Sequence, residues 1–200
     1  MEAKLYILDR AQDKETYVIN DENTHIFFMH NYSGKLHVSI QCEHARVYIF
    51  GVYIGRGDEN ISVRTTQDHQ IGNTMSDLFI RGGFFDSSKF LYEGLINVAK
   101  NAQGSNAYQK NQNLLLSKNA YVDSRPFLEI QANDVRCTHG STTGRVDKEQ
   151  LEYLSIRGID AEKAEKLIVA GFIDEVFVKM SEVSEDIDIN SLRKKVVEYA

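Results

Sequence analysis

Apolar and polar residues alternate in short runs over the first two-thirds of the chain. In Lys35–Cys42, Leu36, Val38, Ile40 and Cys42 fall on one face. Ile61, Val63 and Thr65 repeat the pattern, as do Phe90, Tyr92, Gly94, Ile96 and Val98, and Phe127–Gln131 is a further run. Alternation with period two over four to eight residues predicts half-buried strands. Asn31-Tyr32-Ser33-Gly34, Gly55-Arg56-Gly57-Asp58, Gly82-Gly83 and Gln103-Gly104-Ser105-Asn106 read as turns between them. The spacing is irregular and shows no clean repeat of 20–25 residues. Sandwich, barrel and solenoid all remain open, and the pattern by itself favours sandwich or barrel.

After Gly144 the period changes. Asp147 is placed to cap a helix, with Gln150 at the capping-box position and Leu151, Leu154 and Ile156 following. Arg157-Gly158 is a stop, and Asp160 caps a second helix in which Ala164, Leu167, Ile168 and Gly171 recur at three or four. Residues 173–180 predict a third helix and Ser191–Tyr199 a fourth. The expected organisation is a β-domain over 1–144 and a small helical domain over 145–200. Leu151, Leu154, Leu167, Ile168, Phe172, Val176 and Phe177 are too many apolar residues for so short a segment to bury alone. Most must pack on the β-domain, and any surplus is a docking surface.

The formal charge of −6 argues against a general DNA or RNA binder. Residues 145–200 carry 9 Lys/Arg and 13 Asp/Glu, so the tail is the acidic part. The opening MEAKLYILDR lacks the apolar core of a signal peptide. The longest apolar run, Val47–Gly55, is far short of the roughly 20 residues that span a bilayer. The expectation is a cytoplasmic protein without a membrane partner. Two cysteines, Cys42 and Cys137, make neither a disulfide scaffold nor a Cys-x-x-Cys zinc site.

Chemistry concentrates in one stretch. If Val135–His139 is extended, Cys137 and His139 share a face. A thiolate and an imidazole so placed could share a soft metal ion, and Gly140 leaves room for another backbone. A buried thiol beside a backbone-bonded histidine is the plainer reading of an isolated Cys-x-His. Two ligands are also too few, so a second chain or a substrate must supply the rest. Asp68-His69 reads as turn or surface polar groups, and His25, His30, His37 and His44 as surface. Cys42 reads as a small core residue, and Glu129 with Asp134 is at most a background pair of acids. Gly55-Arg56-Gly57-Asp58 lacks the Lys-Ser/Thr of a phosphate loop.

Asn133-Asp134-Val135-Arg136-Cys137-Thr138-His139-Gly140-Ser141-Thr142-Thr143-Gly144, then Asp147 and Glu149–Ile159, resembles the signature of the SufB/SufD family of iron–sulfur cluster assembly subunits. Tyr92–Ile96, Tyr108–Ser117 and Ala120–Ile130 extend the similarity, which runs from about Gly51 to Phe172. The resemblance implies a mainly β fold, a right-handed parallel β-helix followed by a small C-terminal α-helical domain. It implies docking of a SufC-like ABC ATPase on the helices, with Leu151, Tyr153, Leu154, Leu167 and Phe172 as the contact residues. It also implies pairing of two β-helix subunits, with a transient Fe–S cluster forming near their interface. The family's Cys-x-His-Gly pattern falls on Cys137, His139 and Gly140, making His139 the first and Cys137 the second expected cluster or iron contact.

Typical members of that family are about twice as long and carry a helical region before the β-helix. Thr138 and Gly140, where the scaffold-type subunit has acidic residues beside its histidine, favour a SufD-like role. The partner would be a SufB/SufD-like paralogue or a second copy, which would bring Cys137 and His139 together twice near a two-fold axis. No motif for binding a nucleotide is present, so hydrolysis would belong to the partner. The expectation is therefore a non-enzymatic assembly subunit. The alternatives are a β-helix enzyme acting on carbohydrate, and a bridging protein that has lost the cluster chemistry.

Overall fold

The computed structural model describes residues 3–9, 12–185 and 187–197. Among these residues eleven strands come first: β1 (Ala3–Leu8), β2 (Gln12–Ile19), β3 (Thr24–His30), β4 (Gly34–Ile40), β5 (Arg46–Gly55), β6 (Asn60–His69), β7 (Met75–Phe84), β8 (Lys89–Val98), β9 (Asn106–Leu115), β10 (Tyr121–Ile130) and β11 (Arg136–Gly144). Three helices follow: α1 (Lys148–Ile156), α2 (Ala161–Val183) and α3 (Ile189–Val197). Odd-numbered strands form one six-stranded sheet and even-numbered strands a five-stranded one. Every pairing is parallel and joins a strand to the one two places on. The chain therefore winds between two facing sheets as a parallel β-helix. That is the architecture the family resemblance implied, and not the sandwich or barrel that the pattern alone favoured.

The repeat is hidden because the coil changes length. In the early coils Ala3 lies beside Thr24 and Thr24 beside Arg46. In the later ones Arg46 lies beside Met75 and Met75 beside Asn106, a distinctly longer circuit each time. No single period fits both halves.

Inward rows of both sheets build the main core, with Leu36, Val38, Ile40, Ile49, Ile61, Val63, Leu78, Ile80, Phe90 and Tyr92 all buried. The predicted alternation of β4, β6 and β8 is these rows. A second core lies outside the odd-strand sheet, where Phe50, Val52, Ile54 and Phe79 meet Val169, Ile173, Val176, Phe177 and Met180 of α2 and Leu192 and Val196 of α3. Strand β5 is thus buried on both faces, which explains its continuous apolar text. Each such side chain contributes ~1.5–3 kcal/mol on burial.

Arg81 fastens this helix. It is 8% exposed, donates to the Phe172 carbonyl (2.7 Å) and to Gln112 Oε1 (3.0 Å), pairs with Glu175 (2.6 Å) and lies over the Phe172 ring.

Several local expectations need correction. Gly82-Gly83 is not a turn but lies inside β7. A Cβ at Gly82 would stand 2.5 Å from the Phe84 ring, and one at Gly83 3.5 Å from Val169 of α2. These glycines mark close packing on the two faces of a strand. The second and third predicted helices are one helix, α2. Gly171 is open to solvent within it, and the apolar positions from Val169 to Met180 carry the helix across. The predicted helix at Ser191–Tyr199 is α3, with 198–199 outside the described residues. Asp147 caps α1 as read but accepts from Glu149 N, and among the described residues no capping box is closed by Gln150; Asp160 accepts from Lys163 N, and Gly158 ends α1 at φ +83°. Among the described residues no helix is long and apolar enough to cross a membrane.

Candidate functional site

Among the described residues the last coil has no successor. β10 is the final strand of the even sheet and β11 of the odd sheet, and both are largely exposed. The loop between them is fixed by Gln103, whose Oε1 accepts from Asn133 N (3.2 Å) and Asp134 N (2.9 Å), while Gly104 N donates to Asp134 O (2.7 Å). That clamp sets the register of β11 on β9.

In that register Cys137 lies beside Ala107, His139 beside Gln109, Ser141 beside Asn111 and Thr143 beside Asn113. Cys137 packs against the small core of Ile96, Val98, Ala102, Ala107 and Ala132. Ser141 Oγ bonds Ser124 Oγ on β10 (2.8 Å). Both contacts put the odd positions of β11 on the inward row, and period two places His139 between them on the same row. The expected shared face is present. Cys137 is half-buried, and its burial pushes the thiol pKa up. His139 is exposed, because no further coil covers it. A Cβ at Gly140 would meet nothing within 4 Å, so the strand is open beside the pair. Among the described residues no group of three or more His, Cys, Asp or Glu side chains could hold a metal ion. The two side chains share a face at the mouth of the solenoid, and among the described residues no third His, Cys, Asp or Glu forms a group with them.

Beneath the pair the interior turns polar. Gln67, His69, Ser76, Gln109, Asn111 and Asn113 are all at most 2% exposed. Sequence reasoning missed this row. Strand β9 alternates Ala107-x-Gln109-x-Asn111-x-Asn113 with polar residues on the other face too, so hydropathy shows no period.

His69 corrects a sequence expectation. It is fully buried, with Nδ1 at 2.7 Å from Thr74 Oγ1 and Nε2 at 2.7 Å from Ser76 Oγ. Burial lowers its pKa to about 4. Asp68 points the other way, as neighbours on a strand must, yet it too is buried at 7% and accepts from Gln70 (2.7 Å) and Asn97 (2.7 Å), with His37 Nε2 at 3.2 Å. His25 is also buried rather than on the surface, with Nε2 3.0 Å from Asp21 and Nδ1 3.2 Å from the Tyr6 hydroxyl. The Lys4 ammonium, with smaller help from His25, holds the Asp21 carboxyl well below the usual range. His30 and His37 are half-buried and His44 is exposed.

The remaining candidates separate. Cys42 packs on the main core. In the Gly55–Asp58 turn the Gly57 and Arg56 amides already donate to Asp86 (2.8 Å) and Glu59 (3.0 Å). Glu129 is exposed on β10 and Asp134 lies in the loop after it. A cleft of about 680 Å³ takes in neither Cys137 nor His139; it lies along the even sheet, where Arg64 pairs with Glu93 and Arg125 with Asp123.

On the helices, Tyr153 and Leu167 are 56% and 49% exposed, while Leu151 and Leu154 are half-buried. Tyr153, Leu154 and Leu167 line a groove of about 540 Å³ between α1 and α2. Phe172 differs from these, because its ring packs on the second core beneath Arg81.

Comparison with known proteins gives the same direction. Residues 22–172 match the family described as "SUF system FeS cluster assembly, SufBD core domain". The chain is 40% identical over 119 residues to the iron–sulfur cluster assembly protein SufD of Escherichia coli, covering 60% of this chain and 28% of that protein. It is 33% identical over 147 residues to SufD of Bacillus subtilis, covering 73% of this chain and 32% of that one. An iron–sulfur cluster assembly SufBD family protein of Mycobacterium tuberculosis is 30% identical over 141 residues, covering 66% of this chain and 36% of that one. The chain thus spans about a third of the length of these relatives. With the parallel β-helix and a family match over more than half its length, the chain belongs to the SufBD family of iron–sulfur cluster assembly proteins.

Proposed function

We propose that this chain is a non-catalytic, SufD-like subunit of a cytoplasmic Suf-type assembly complex, with the nascent Fe–S cluster as its cargo. The observation that carries the reading is the uncovered edge strand β11, which holds Cys137 and His139 side by side at the mouth of the last coil. An unpaired edge is a template for a second chain. A paralogue or a second copy seated there supplies the ligands that one chain lacks, and a two-fold pair would bring two thiols and two imidazoles together. The groove between α1 and α2, rimmed by exposed Tyr153 and Leu167, is the docking surface for a SufC-like ABC ATPase. ATP hydrolysis belongs to that partner.

The test is anaerobic co-purification with the candidate ATPase, with and without iron and sulfide, read by size and visible absorbance. The reading expects a stable complex with charge-transfer bands that vanish on His139→Ala. A stable but colourless complex would leave a subunit that only organises the ATPase. No complex at all would overturn the reading.

A further inference from the structure

His139 has a neighbour prepared for it. Gln109 is its register partner on β9. It is 1% exposed, and its Nε2 donates to the Gly94 carbonyl (3.4 Å). That bond fixes which end of the amide is nitrogen and leaves Oε1 as the other end. Oε1 is buried without a hydrogen-bond partner among the described residues. Buried polar atoms in native proteins are satisfied in more than about 90% of cases, so an isolated buried acceptor calls for a donor. Room for this amide has been made. A Cβ at Gly94 would stand 2.3 Å from Gln109 Nε2 and 2.6 Å from its Cδ.

Adjacent strands lie about 4.7–4.9 Å apart, so an imidazole and an amide on the same row are within hydrogen-bond reach. The register already sets the exposed His139 side chain beside Gln109, so a turn of the ring about its χ angles is the movement that would bring it to Oε1.

We propose that Gln109 is the positioning residue of His139, its side-chain oxygen accepting a ring N–H so that one tautomer is held and the second ring nitrogen keeps its lone pair free. A histidine that ligates metal commonly has its other N–H fixed in this way. Its use for iron rests on the function proposed above; the hydrogen bond itself does not. Neighbouring amides fit the pattern: Asn111 bonds Ser124 through Nδ2 (3.0 Å), and its Oδ1 is likewise buried without a partner among the described residues, beneath Ser141.

The experiment uses the full chain labelled with ¹⁵N-histidine, the ring resonances of His139 being identified by their loss in His139→Ala. At a pH where the imidazole is neutral, the wild type should show one dominant tautomer. Gln109→Met removes the acceptor at similar volume but also gives up the Nε2 bond to the Gly94 carbonyl, so its urea midpoint is read beside the spectrum to confirm that the fold persists. This variant should show both tautomers. Gly94→Ala displaces the amide and should act like Gln109→Met. Ferrous iron titrated anaerobically should bind about 10-fold more weakly to Gln109→Met and to Gly94→Ala. An identical tautomer ratio in the wild type and Gln109→Met overturns the proposal. A tautomer change with iron binding unaltered upholds the hydrogen bond and overturns the iron role given to His139 instead.

Discussion

His69 makes the stability of the β-helix fall with acid in a calculable way. The ring is fully buried, and its pKa is lowered from the usual 6.5 to about 4 by that burial. Its two hydroxyl partners can accept from either nitrogen, so protonation need not break those bonds; it places a charge where water cannot reach. Between pH 6.5 and 4 the unfolded chain binds the proton and the folded chain does not. Stability therefore declines as pH falls through that window. At about 1.36 kcal/mol per unit, a shift of roughly 2.5 units sets a limit near ~3 kcal/mol, of which about 2 kcal/mol is lost between pH 7 and pH 5. His69→Gln offers hydrogen-bonding ends to Thr74 and Ser76 without titrating. The assay is urea unfolding of both proteins across a pH series from neutral down to the lower edge of that window. By pH 5 the wild type should have lost about 2 kcal/mol more than the variant. Parallel stability curves for the two proteins would refute the reasoning.

Gly82→Ala drives a Cβ into the buried Phe84 ring and should lower stability by about 1–3 kcal/mol, read as a reduced urea midpoint at unchanged slope. Arg81→Met removes the ion pair and the hydrogen bonds that fasten α2. It should cost about 2–3 kcal/mol and raise amide exchange in α2 before exchange in β5 or β7. Tyr153→Ala alters an exposed ring and should change stability by less than about 0.5 kcal/mol, yet weaken co-purification with the ATPase.

The strands are legible where one face of a strand is apolar and the other polar, as in Leu36-Val38-Ile40 and Phe90-Tyr92. The caps Asp147 and Asp160 are legible because capping depends on local chemistry. The solenoid is not, since a coil that lengthens from the Ala3–Thr24 step to the Met75–Asn106 step leaves no period to count. His25 and His69 read as surface because a histidine's burial depends on partners from other segments. The Cys137–His139 face can be read from spacing alone. Gln109 beneath it cannot, because its importance lies in a register set one full coil away.

In a solenoid each coil is stabilised by the coils on either side, so folding resembles a line of coupled units. The terminal unit formed by β10 and β11 has one neighbour, and α2 braces β5 and β7 rather than β11. It therefore opens at a lower free energy than the coils beneath it, and it is the one bearing Cys137 and His139. A partner strand laid on β11 would supply the missing nearest-neighbour energy, so assembly and the ordering of Cys137 and His139 would be one thermodynamic event.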